Sequence, residues 1–138
     1  MYYLTKTFEV PISHRLSKHL GKCQLFHGHN LYIEVTIKSR YLNNNDMVMD
    51  FSKLKELVNS IIYSWDHGMF INQSDLEMVK DLKCELHVFE TDPTSEVLCK
   101  KLFEDLQNKI LKTEEWLNIF VHSISIWETK NSKSTYQE

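Results

Sequence analysis

The chain has 138 residues, 42% of them hydrophobic and 25% charged, with a formal net charge of −3. These ordinary globular values exclude a disordered, collagenous or coiled-coil chain, and the acidic balance gives no general attraction to nucleic acid or anionic membranes. No apolar run reaches the roughly 18 residues of a membrane span, Met1 to Thr7 lack a signal-peptide core, and an odd set of three cysteines argues against a disulfide framework, so a soluble cytoplasmic protein with reduced thiols is expected.

Glycine (3) and proline (2) are scarce, and no repeat or linker divides the chain, so residues 1–138 are expected to form one domain. Tyr2 to Val10 carries a weak strand pattern. Beyond the Ser17 to Gln24 loop, Leu31, Ile33, Val35 and Ile37 alternate strictly, as in a half-buried strand. Tyr41 to Asp46, with three consecutive asparagines, reads as an exposed turn. Asp50 is a good N-cap for a helix on which Phe51, Leu54, Val58, Ile61 and Ile62 recur at helical spacing. Cys84 to Phe89 is a short strand pattern. Asp92 with Pro93 behind it predicts a second helix start, followed by Leu98, Leu102, Leu106 and Ile110 on one face. Ile119 to Glu128 is the last strand pattern. The order implies an α+β fold, with an antiparallel four-stranded sheet and two helices on one face.

His27-Gly28-His29 stands just before the alternating strand. Side chains at i and i+2 of an extended segment point the same way, so both imidazoles can meet one ion. If the first two strands pair antiparallel, His14 comes alongside. Three histidines with no fourth protein ligand are a catalytic zinc arrangement that leaves one position open. Taken alone, such a pair is more often two polar residues on a wet face. His19, His87 and His122 have no comparable partner and read as surface or satisfied core residues.

Cys23 precedes His27 by four residues. It is either a fourth zinc ligand closing a structural site, or a thiolate poised as base or nucleophile. Cys84 and Cys99 read as small buried hydrophobes. Asp66-His67 suits general acid–base work, and equally suits a helix end before Gly68. Glu128, ending the last strand, can accept paired hydrogen bonds from an amidine-like group or can be a solvated strand end.

The series Ser13-His14-Arg15-Leu16, Lys22-Cys23-Gln24-Leu25-Phe26-His27-Gly28-His29, Met47-Val48-Met49-Asp50-Phe51, Asp66-His67, Asp92-Pro93-Thr94-Ser95-Glu96 and Trp127-Glu128-Thr129 resembles the 6-pyruvoyl-tetrahydropterin synthase and 6-carboxy-tetrahydropterin synthase family. The resemblance implies a tunnelling fold whose protomers close into an oligomeric barrel, usually a homohexamer. It implies zinc on His14, His27 and His29, Cys23 as general base, and an Asp66–His67 dyad supplied by a neighbouring subunit. Glu128 would anchor the pterin ring, and Thr94, Ser95 and Glu96 would line its pocket. The implied substrate is 7,8-dihydroneopterin triphosphate, with Arg15, Lys18 and Lys22 as candidates for the triphosphate. The product is either 6-carboxy-tetrahydropterin, toward queuosine, or 6-pyruvoyl-tetrahydropterin, toward tetrahydrobiopterin. The four-residue spacing from Cys23 to His27 resembles the carboxy-forming enzymes. A pterin-binding or structural zinc protein without turnover is the reading from another class. Gly68-Met69-Phe70-Ile71-Asn72 is one residue longer than the family's usual run after the dyad.

Overall fold

Strand β2 (His27–Ser39) realises its alternation in full, with Leu31, Ile33, Val35 and Ile37 wholly buried in the computed structural model, which describes residues 1–138. Strand β1 (Tyr2–His14) pairs with it antiparallel along its whole length, Tyr2 opposite Ser39 and His14 opposite His27. The first strand thus runs past the expected Val10, because buried Ile12 and His14 continue the inward phase.

Helix α1 (Phe51–Ile62) starts where expected, with the Asp50 carboxylate accepting the Ser52 N–H at 2.6 Å. Two pieces follow that alternation does not reveal, strand β3 (Gly68–Asn72) and the short helix α2 (Leu76–Val79). Then come β4 (Leu86–Phe89), α3 (Ser95–Leu111), β5 (Ile119–Thr129) and β6 (Ser132–Gln137).

The sheet departs from expectation. It has six strands in the order β4-β3-β1-β2-β5-β6, and it is mixed, because β3 runs parallel to β1 and β4 parallel to β3. Strand β3 is covered on both sides, so its residues form a near-continuous buried run without a period of two. Strand β6 escapes notice for the opposite reason, being a polar edge strand.

The second helix also starts later than expected. Thr94 is the N-cap, its Oγ1 accepting the Val97 N–H at 3.3 Å, while the Asp92 carboxylate is engaged elsewhere. Cys84 lies outside β4 and is exposed, so the expectation of a buried thiol holds only for Cys99.

Strand β5 contains a register shift opposite Thr36/Ile37, which makes His122 the extra residue. Without that bulge Val121 and Ile124 would face opposite sides; with it both are buried on the core face. One hydrophobic cluster joins these inward residues to Leu54 and Val58 of α1 and Leu98, Leu102, Leu106 and Ile110 of α3. The other face has no such cover: Tyr3, Tyr32 and Phe120 remain 56%, 40% and 45% exposed. No helix is long and apolar enough to cross a membrane.

Candidate functional site

The first strand pair brings three histidines together. His14 ends β1 directly opposite His27, and His29 follows two residues on along the same face. One ligand atom from each lies within 4.8 Å of the others. The His14 Nδ1–H donates to the Pro93 carbonyl at 2.9 Å, and the His27 Nδ1–H donates to the Leu25 carbonyl at 2.7 Å. These bonds leave Nε2 of both rings as the lone-pair nitrogen, as outer partners do for metal-binding histidines. The Nε2 atoms of His14 and His29 are buried and receive no hydrogen bond within the chain.

Burial holds the His14 pKa down at about 4; the neighbouring His27 and His29 push the same way, and the Pro93 carbonyl only partly opposes them. At neutral pH the ring is therefore the neutral imidazole that a metal requires. Three converging imidazoles, two of them with buried, bare Nε2 atoms, and no fourth protein ligand among them fit a zinc-like divalent ion.

Glu128 borders this group. It is the extra residue of a second bulge, where β5 shifts register against β6. Its two carboxylate oxygens lie 3.7 Å from His14 Nε2 and 3.9 Å from His29 Nε2. Glu128 also lines a cavity of about 580 Å³ with Glu9, Asn30, Tyr32, Trp127 and Thr129. A carboxylate at the mouth of a cavity, beside a cation site, can hold a polar heterocycle and pass protons.

Cys23 sits in a 3₁₀ turn (Lys22–Gln24) and is half-buried, but its sulfur is not among the atoms that converge with the histidines. Within one chain the sulfur is thus not placed as a fourth ligand. Asp66 and His67 do hydrogen-bond one another, Nδ1 to Oδ1 at 2.5 Å, although they are adjacent in sequence. His67 has a φ of 58°, and the two side chains are 86% and 55% exposed for His67 and Asp66. Within one chain neither side chain bonds to Cys23 or to the three histidines.

Thr94 is occupied as a helix cap, and Ser95 Oγ lies 2.6 Å from Ser134 Oγ. Glu96 lines a different cavity, of about 540 Å³, with Lys100, Lys101 and Tyr136, so one chain alone does not gather these three around Glu128. Arg15 is committed: it donates to Asp75 at 2.9 Å and to the Gln24 carbonyl at 2.8 Å. Lys18 and Lys22 are exposed on the same loop. His19 is exposed, and the His87 ring stacks on Phe70 while Nε2–H donates to the Ser64 carbonyl at 2.7 Å, so neither joins the site.

Sequence reasoning missed the role of Asp92-Pro93. The Asp92 carboxylate receives hydrogen bonds from Ser17, the Lys18 N–H and Asn72, and the Pro93 carbonyl orients His14. No local signal could have revealed this, since the partners are brought together only by folding.

The chain is similar to known proteins over nearly its whole length. A family described as 6-pyruvoyl tetrahydropterin synthase matches residues 3–138. The 6-carboxy-5,6,7,8-tetrahydropterin synthase of Haemophilus influenzae is 30% identical over the full length of both chains. The enzyme of that name from Rickettsia conorii is 29% identical over 95% of this chain and 96% of its own. In structure, the 6-pyruvoyl tetrahydropterin synthase of Caenorhabditis elegans superposes with a TM-score of 0.72 at 22% identity, covering 99% of this chain and 95% of that one.

Proposed function

The chain belongs to the 6-pyruvoyl tetrahydropterin synthase family, and on that premise we propose that it is a zinc-dependent lyase forming 6-carboxy-5,6,7,8-tetrahydropterin, acetaldehyde and triphosphate from 7,8-dihydroneopterin triphosphate. That reaction is an early step toward queuosine and other 7-deazaguanines. The observation that carries the reading is the convergence of His14, His27 and His29, with the Nε2 atoms of His14 and His29 buried and unbonded beside Glu128.

In this reading His14, His27 and His29 hold zinc, which when bound supplies Lewis-acid polarisation of the substrate's side-chain oxygens. Cys23, as thiolate, removes the carbon-bound proton of that side chain. His67 returns protons as triphosphate leaves, with Asp66 orienting and charging its ring. Glu128 accepts paired hydrogen bonds from the pterin's amidine-like edge, and Thr94, Ser95 and Glu96 complete the pocket. Lys18 and Lys22 are the loop cations left for the triphosphate, because Arg15 is tied to Asp75.

Assembly belongs to the same proposal. The exposed dyad is supplied to the Cys23 of a neighbouring subunit, and the uncovered sheet face with Tyr3, Tyr32 and Phe120 lines the inside of a homohexameric barrel.

The test is an anaerobic incubation of zinc-loaded protein with 7,8-dihydroneopterin triphosphate, with products identified by mass. The expected products are 6-carboxy-tetrahydropterin and acetaldehyde. 6-Pyruvoyl-tetrahydropterin without acetaldehyde moves the chain to the biopterin-type reaction with the same residues. No consumption by folded, metal-replete protein overturns both. Cys23→Ala then separates base from ligand: turnover lost by about 10²–10⁴-fold with metal retained supports the base, and metal loss supports a closed structural site.

A further inference from the structure

Building on that reading, we propose that Asp92 is a positioning residue for the reaction: its carboxylate fixes the stem of the Cys23 loop, while the carbonyl next to it, on Pro93, fixes the ring of His14. One two-residue segment thereby sets the thiol and a metal ligand relative to each other.

Asp92 is buried where the end of β3, the start of the Cys23 loop and the entry to α3 meet. Ser17 Oγ–H donates to Oδ1 at 2.5 Å, Asn72 Nδ2–H to Oδ1 at 3.0 Å, and the Lys18 N–H to Oδ2 at 2.8 Å. The loop is in turn closed on itself. Leu16 N–H donates to the Cys23 carbonyl at 2.8 Å, and Arg15 Nε–H donates to the Gln24 carbonyl at 2.8 Å. A displacement at Ser17 or Lys18 is therefore passed to Cys23 through two adjacent hydrogen bonds. On the other side of Asp92, Pro93 accepts the His14 Nδ1–H at 2.9 Å.

This carboxylate is not needed as a helix cap, because Thr94 fills that role. Nor does it idle as a neutral acid. Burial opposes its charge, but the bonds from Ser17, Asn72 and the Lys18 amide prevail and hold its pKa at about 2. It is an ionised acceptor, whose hydrogen bonds are shorter and stronger than neutral ones.

The test uses the zinc-loaded 138-residue chain carrying Cys84→Ser, which removes the exposed competing thiol and leaves Cys99 buried. Asp92→Ala is expected to lower kcat by about 10–100-fold, the range for outer-shell partners, with KM within about threefold. Alkylation of Cys23 by iodoacetamide, compared between variants at one pH, is expected to rise several-fold as the loop opens. Asp92→Asn, which keeps one acceptor oxygen, should fall between the two in both measurements. Unchanged kcat and unchanged Cys23 alkylation in folded Asp92→Ala overturn the proposal. If Asp92→Ala does not fold, Ser17→Ala decides: the same pattern in smaller measure supports positioning, and no change in either readout overturns it. Should the wild-type chain turn over neither pterin product, the alkylation arm still judges the loop independently of the proposed function.

Discussion

A carboxylate oxygen of Glu128 lies 3.7 Å from Nε2 of His14, although neither atom has a proton to offer the other. The His14 Nδ1–H is spent on Pro93, and burial keeps the ring neutral. A buried acceptor facing a partly exposed carboxylate is unfavourable unless a cation lies between them or beside them. With His27 and His29, His14 could hold such an ion.

Zinc is expected to raise the thermal midpoint of wild-type chain, by about 4 kcal/mol of stability when free zinc is a thousandfold above Kd. In His29→Ala or His27→Ala the metal content after gel filtration should fall well below one per chain, and added zinc should no longer move the melting curve. A zinc-dependent midpoint that survives both substitutions would place the ion elsewhere.

Glu128→Gln removes the facing charge and retains the size. In the metal-free chain it should be neutral or stabilising by about 0.5–1 kcal/mol, because the acceptor conflict is relieved. In the zinc-loaded chain kcat/KM should fall by about 10²-fold or more if Glu128 makes the charged pterin contact proposed for it. Urea midpoints and steady-state kinetics on one preparation check both signs.

Acid should weaken the metal-free chain in two stages. His14 has its folded pKa lowered from 6.5 to about 4, so its unfolded form takes up a proton first; the stability it contributes is present above pH 6.5 and lost as pH falls toward 4. Between pH 7 and 4.5 this amounts to about 2–3 kcal/mol. Asp92, lowered from 3.8 to about 2, contributes stability present above pH 3.8 and lost below it. Urea midpoints across this range should show both declines, and Asp92→Asn should flatten only the second.

Because the Asp66–His67 pair is exposed and unbonded to Cys23 within its own chain, catalysis is expected to use residues of two subunits. Cys23→Ala and His67→Ala should each be nearly inactive. Co-refolding them should restore measurable turnover, since some mixed interfaces carry an intact Cys23 and an intact dyad. No restoration in a mixed oligomer verified by mass would confine the reaction to single chains.

His67 occupies the left-handed region at φ 58°, where a non-glycine residue costs on the order of 1 kcal/mol. His67→Gly should leave stability unchanged or raise it by up to about 1 kcal/mol, while turnover falls by about 10²–10⁴-fold. Gly68→Ala should do the reverse to stability, because its Cβ would stand 2.9 Å from the Trp65 carbonyl oxygen. Thermal midpoints of the two variants, compared in one buffer, check the opposite signs.

Local patterning determined a good part of this protein. The alternation of Leu31 to Ile37, the Asp50 cap and the stripe from Leu98 to Ile110 are set by neighbours in the chain, and each appears where it was expected. The spacing of His27 and His29 likewise dictated a shared face, because a strand repeats every two residues. Only the tertiary structure decided the rest. Strand β3 is a buried parallel strand, whose uniform apolarity hides its period, and β6 is a polar edge whose partner lies across a tight turn. The bulges at His122 and Glu128 depend on register between strands. Asp92 has the chemistry of a helix cap, and the chain nearby offers a helix; Ser17 and Lys18, more than seventy residues away, take its carboxylate instead. Periodicity reports which face a side chain takes, but the partner it meets there is set by packing between distant segments.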